Sequence, residues 1–142
     1  MKVVVLFESL TGNTRRAAEL IGGALHEQGA EVKVRPIDAF DYHELAIADL
    51  VVIGTWVDGL VVAGHRPGRA GKLRKLPVID RKKAAVFVTY AIHPGKALAK
   101  TVAVVEGLGA DVVASAQLRR DRLEAGVGSF VEEVLQRVPV KA

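Results

Sequence analysis

Val3-Val4-Val5-Leu6-Phe7-Glu8-Ser9-Leu10-Thr11-Gly12-Asn13-Thr14 passes from five consecutive apolar residues into a loop of hydroxyls, one amide and one glycine. A continuous apolar run of strand length reads as a strand buried on both faces, as in a parallel sheet. Beyond the loop, Ala17, Leu20, Ile21, Ala24 and Leu25 recur at three- and four-residue spacing and mark the apolar stripe of a helix. The loop therefore lies where a strand delivers the chain to a helix N-terminus. There the first backbone N–H groups have no intrahelical carbonyl to bond, and the helix dipole favours an anion. Ser9, Thr11, Asn13 and Thr14 add side-chain donors around Leu10, and Gly12 lets the backbone close around a guest. Ser, Thr and Asn are also ordinary N-caps, so an anion site and a capped turn are the two readings. Four polar residues and a glycine within six positions exceed what capping requires. The loop has neither the Gly-Lys-Ser/Thr ending of a Walker loop nor the G-x-G-x-x-G of a dinucleotide site, which leaves a terminal phosphate monoester as the expected guest.

The same alternation continues along the chain. Gly29 is placed to end the first helix, and Glu31-Val32-Lys33-Val34-Arg35-Pro36-Ile37 alternates apolar with polar residues, as an edge strand does. Asp41 to Asp49 has the length of a short helix. Leu50-Val51-Val52-Ile53-Gly54 and Ala84-Ala85-Val86-Phe87-Val88-Thr89 are further buried runs, and Val112-Val113-Ala114 marks a fifth strand. Leu98, Val102, Val105 and Leu108 give one amphipathic helix; Val127, Phe130, Val131, Val134, Leu135 and Val138 give another. Ser129 and Glu132 have capping-box spacing, which predicts that the last helix starts at Ser129 with Val127 packing ahead of it. Strands alternating with helices imply right-handed crossovers and a parallel sheet covered on both sides, a three-layer α/β/α sandwich.

Ser9-x-Thr11-Gly12-Asn13-Thr14 resembles the phosphate loop of flavodoxins and flavodoxin-like proteins, in which [Thr/Ser]-x-Thr-Gly-x-Thr wraps the phosphate of FMN. The resemblance extends over nearly the whole chain and implies a five-stranded parallel sheet of order 2-1-3-4-5. It also implies an FMN site beyond the carboxyl ends of the strands, where three loops meet. The first is the phosphate loop. The second, Thr55-Trp56-Val57-Asp58-Gly59, holds the only Trp of the chain; the resemblance makes Trp56 an isoalloxazine wall and the Asp58-Gly59 peptide a partner of the flavin N5. Trp56 as a simple cap on the sheet edge is the other reading. The third, Tyr90-Ala91-Ile92-His93-Pro94-Gly95, occupies the position of the second ring-contacting loop; the resemblance puts Tyr90 on the other face and His93 near the ring edge, and a solvent-exposed loop His is the other reading of His93. Typical flavodoxins carry Gly and Asp in that loop and an acidic surface around the flavin, from which this chain departs.

With 142 residues the expectation is one domain, long enough to bury about two thirds of its unfolded surface. No apolar run approaches the ~20 residues of a membrane span. The first residues lead straight into a strand without the pattern of a secretory signal, so the expected location is cytoplasmic. The chain has no cysteine, which excludes disulfides and thiolate chemistry. His26, His43, His65 and His93 lack metal-site spacing.

Lys and Arg number 20 against 16 acidic residues, a net charge of +4. Arg66, Arg69, Lys72, Arg74 and Lys75 fall in a stretch, Gly59 to Ile79, that contains no acidic residue. This stretch is a solvated face, a docking patch for acidic redox partner proteins or a site for a phosphorylated ligand, and without interleaved aromatics it does not read as a nucleic-acid surface. Arg15 and Arg16 open the first helix, where positive charge opposes the dipole; a bound phosphate or simple exposure to water would each resolve that conflict. The resemblance makes an FMN electron carrier the leading reading, and it agrees with the lack of an evident catalytic constellation in the sequence. An FMN-dependent oxidoreductase of quinone reductase or protoporphyrinogen dehydrogenase type, its pocket roofed by residues 61–77, is the alternative, followed by a flavin-free module for another phosphorylated ligand.

Overall fold

In a computed structural model of the chain, describing residues 1–8, 12–58, 66–67 and 79–140, five strands run parallel in one sheet. They are β1 (Lys2–Phe7), β2 (Glu31–Pro36), β3 (Leu50–Asp58), β5 (Lys83–Tyr90) and β6 (Asp111–Arg119), arranged β2-β1-β3-β5-β6. This is the expected 2-1-3-4-5 order once the two-residue β4 (Arg66–Pro67) is set aside. β4 pairs antiparallel with the end of β3, Val57 opposite Pro67 and Asp58 opposite Arg66.

Side chains in a strand alternate between faces, and here both faces are covered. Val3, Val5, Phe7, Leu50, Val52, Ala85 and Phe87 pack with α1 (Asn13–Glu27) and α4 (Leu123–Arg137). Val4, Leu6, Val51, Ile53, Ala84 and Val86 point the other way, towards α2 (Tyr42–Ile47) and α3 (Ala97–Gly107), which contribute Leu45 and Val105. β2, by contrast, alternates exposed and half-buried residues, as its edge position demands. No helix among the described residues is long and apolar enough to cross a membrane.

Local signals set most boundaries. Asp41 caps α2 by accepting the Glu44 N–H at 2.9 Å. Gly29 adopts φ +98° two residues beyond α1, where the chain must turn left-handed. The last helix corrects the sequence expectation. It begins at Leu123, after the 3-10 turn Arg120–Arg122, not at Ser129, which is an exposed interior position. Leu123 and Val127 are both buried and extend the apolar stripe of Phe130, Val131 and Val134 by about two turns, so tertiary packing overrides the capping-box spacing. Gly126 inside this helix sits against the sheet; a Cβ there would come within 3.1 Å of Leu118 Cδ2. β6 also runs well past Ala114, because an edge strand tolerates the polar Ser115, Gln117 and Arg119 in alternation.

Gly54 in β3 pairs in register with Phe87 in β5, and the Phe87 ring covers it so closely that a Cβ would lie 1.9 Å from Cζ. The same ring meets Phe130 of α4 with centroids 6.1 Å apart. At the opposite edge, Arg35 of β2 donates from Nε and Nη2 to the two carboxylate oxygens of Glu44, at 3.0 and 2.8 Å. These hydrogen bonds and the accompanying charge attraction hold the Glu44 carboxyl below its ordinary value of 4.5 and the Arg35 guanidinium above its own.

Gly54→Ala is expected to destabilise the fold by about 1–3 kcal/mol or more, measured by urea unfolding, because the Phe87 ring is hemmed in by Phe130 and cannot withdraw. A folded-state carboxyl value below the unfolded one adds stability that is present above the unfolded value and lost as pH falls through the folded one. Glu44→Gln is therefore expected to be less stable than the wild type at neutral pH, with the difference vanishing below pH 4.5 as Glu44 takes up its proton.

Candidate functional site

The carboxyl ends of β1, β3 and β5 lie side by side and open onto the start of α1. Phe7 pairs with Gly54, Trp56 pairs with Thr89, and the Glu8 N–H donates to the Gly54 carbonyl at 3.0 Å. Gly12, at φ +95°, forms the N-cap of α1, and the Arg16 N–H closes the first turn onto its carbonyl at 2.9 Å. The left-handed conformation suits glycine alone without strain. Gly12 has no side chain with which to cap, and no acidic residue stands in the first turn. The positive end of the helix is thus not neutralised from within its own first turn, which is the electrostatic condition for an anion site.

Thr14 and Thr89 are both buried, and their Oγ1 atoms are 2.8 Å apart. This bond ties the first turn of α1 to the end of β5. One hydroxyl donates to the other. No buried side-chain polar atom among the described residues lacks a partner. Thr55 is fully buried, whereas Trp56 and Val57 are half-buried at the end of β3. Tyr90, half-buried, pairs with Arg119 of β6. Past it, Ala91 is half-buried, Ile92 is 60% exposed, His93 is exposed, and Gly95 turns at φ +55°.

The structure therefore brings together Gly12, Asn13, Thr14, the end of β3 and the start of the 90–95 loop. Ser9, Leu10, Thr11 and Gly59 lie outside the described residues, as do Arg69, Lys72, Arg74, Lys75 and most of the 61–77 segment; Asp58 and Arg66 are described only through their backbone pairing. Sequence reading missed Thr89 as the partner of Thr14, although a polar residue closing a buried strand was the available signal. It also left Glu8 without a role; Glu8 is buried, only 4% exposed, at the end of β1. The two arginines of α1 prove to be paired and exposed: Arg15 Nε lies 3.1 Å from Glu19 Oε1, and Arg16 Nη2 bonds Glu124 Oε1 of α4. Among the described residues no group of His, Asp and Glu side chains has the arrangement of a metal site.

The family model described as a flavodoxin domain matches residues 4–106 of the chain. No curated protein matches it. Among solved structures, oxidised flavodoxin 1 from Bacillus cereus is similar at a TM-score of 0.74 and 23% identity, covering 97% of this chain and 99% of that one. The two-electron reduced flavodoxin of Megasphaera elsdenii is similar at 0.73 and 20%, covering 94% and 98%. The rubredoxin oxygen:oxidoreductase of Desulfovibrio gigas is similar at 0.67 and 18%; the match covers 97% of this chain but 37% of that larger one.

Removing the Thr14 hydroxyl leaves the buried Thr89 hydroxyl without its partner, at a cost of about 1–3 kcal/mol. Thr14→Val is expected to lose stability of this order in chemical unfolding. Thr14→Val combined with Thr89→Val is expected to lose less than the sum of the two single changes, the signature of a direct bond in a double-mutant cycle.

Proposed function

Because the chain belongs to the flavodoxin family, we propose that it binds FMN and carries electrons between protein partners. The observation that supports this most is the meeting of a helix N-terminus that has a glycine N-cap and no acidic residue in its first turn with the ends of β1, β3 and β5, directly beside the only Trp of the chain. In this reading the FMN phosphate is held by Ser9, Thr11, Asn13 and Thr14, with the backbone of Leu10 and Gly12 and the positive end of α1 adding N–H donors. Trp56 and Tyr90 flank the isoalloxazine ring. Val57, Asp58 and Gly59 on one side, and Ala91, Ile92, His93 and Gly95 on the other, enclose its edges and limit access of water.

When bound, FMN supplies reversible one- and two-electron chemistry, and the protein contributes binding, orientation and electrostatics. The Thr14–Thr89 bond fixes the first turn of α1 against the end of β5, so phosphate loop and ring loop keep a constant separation. Gly12 presents backbone in a conformation that residues with a side chain adopt only under strain. No side chain is required to act as nucleophile or general base.

The test is to add FMN to the purified protein, remove the excess, and record visible absorption and Trp56 fluorescence, alongside a Thr11→Val/Asn13→Ala variant. Oxidised-flavin bands with quenched Trp fluorescence are expected. The variant is expected to bind at least about tenfold more weakly, since each charge-assisted hydrogen bond lost is worth about 1.5–3 kcal/mol. A colourless, unquenched protein would refute the reading. Quinone turnover by the loaded protein well above that of free FMN would replace the carrier by an oxidoreductase.

A further inference from the structure

We propose that the face joining the first turn of α1 to the segment after β6 is a docking surface for an acidic redox protein; this rests on the flavin reading above and names the kind of partner that the site serves. Five arginines converge there. Arg15 and Arg16 stand in the first turn of α1, and Arg119, Arg120 and Arg122 follow one another at the end of β6 and through the 3-10 turn. The two groups are joined physically, because Arg16 bonds Glu124 in the first turn of α4, two residues past Arg122. The surface also abuts the candidate ring site, since Arg119 is the ladder partner of Tyr90.

The charges on this face do not cancel. Glu19, Glu124 and Asp121 pair with Arg15, Arg16 and Arg119 respectively, the last pair at 3.0 Å. Arg120 and Arg122 are exposed and pair with no carboxylate among the described residues. All six side chains in the three ion pairs are about half exposed or more, and such surface pairs are worth less than about 1 kcal/mol. An incoming carboxylate can therefore take over a guanidinium at little cost. The face thus presents two uncompensated positive charges and three more that exchange partners readily.

Its composition favours a protein over a nucleic acid. The three carboxylates set among the arginines would repel a phosphate backbone, whereas a mixed rim with an excess of one sign is how protein surfaces complement one another. Ile92, 60% exposed in the loop that follows Tyr90, supplies the apolar contact that a protein interface places inside such a rim. A partner seated there would bring its own redox centre to the edge of the ring site.

The test uses the FMN-loaded protein, photoreduced and mixed by stopped flow with either cytochrome b5, an acidic haem protein, or cytochrome c, a basic one. Salt is raised from about 10 mM to about 200 mM, over which the screening length falls from about 30 Å to under 10 Å. Reduction of cytochrome b5 is expected to slow about tenfold over this range, and that of cytochrome c to quicken. Arg119→Gln/Arg120→Gln/Arg122→Gln is expected to slow cytochrome b5 about tenfold at low salt and to quicken cytochrome c, while leaving the flavin spectrum near wild type. A retained flavin spectrum with cytochrome b5 rates insensitive to salt, or unchanged by the triple substitution, would overturn the docking surface alone. Loss of flavin binding would remove the function reading and this one together. A DNA duplex that binds the wild type but not the triple variant, with cytochrome b5 rates unaffected, would overturn the proposal in favour of a nucleic-acid partner.

Discussion

The ring of Phe87 occupies the space that any side chain at position 54 would need, and this contact lies at the junction of everything else in the molecule. Gly54 sits in β3 between β1 and β5, paired with Phe7 on one side and Phe87 on the other. The ring that covers it reaches Phe130 in α4, so one aromatic side chain joins the middle of the sheet to the helical layer. Aromatic contacts of this kind bury large areas and fix orientation as well as distance. Immediately beyond Gly54 the chain emits Thr55 and Trp56 at the carboxyl edge. The position of the candidate ring wall, Trp56, is therefore set by core packing two residues away.

The carboxyl edge repeats this dependence in electrostatic form. The start of α1 faces the ends of three strands with a glycine N-cap and no acidic residue in its first turn, while Thr14 is locked to Thr89 beneath it. Arginines in that turn oppose the helix dipole, and each is drawn outward by its own carboxylate, Glu19 within the helix and Glu124 across to α4. A glycine conformation, a buried hydroxyl pair and two surface ion pairs together shape this end of the helix. The Arg16–Glu124 pair also joins two arginine-bearing segments that are far apart in the chain.

Much of the fold was legible because apolar periodicity is a local property. Val3 to Phe7, Leu50 to Ile53 and Ala84 to Val88 are buried on both faces and can be recognised as such without knowing their neighbours. Asp41 and Gly29 ended or began helices for stereochemical reasons that act within a few residues. The start of α4 was not legible, because Ser129 and Glu132 carry a genuine local capping pattern that loses to burial of Leu123 and Val127. β6 was read too short for a related reason: the polar residues of its second half are tolerated only because it lies at an edge of the sheet.

The sequence by itself determined the strand and helix alternation, the hydroxyl-rich loop at the first junction and the charge balance, since each depends on residue type and spacing over a few turns. The tertiary structure alone decided which distant groups meet: Thr14 with Thr89, Arg16 with Glu124, Phe87 with Gly54, Tyr90 with Arg119. Those pairings follow from strand order and register, which are fixed by burying both faces of the sheet at once. Burial is a property of the assembled layers, and no window of sequence contains it.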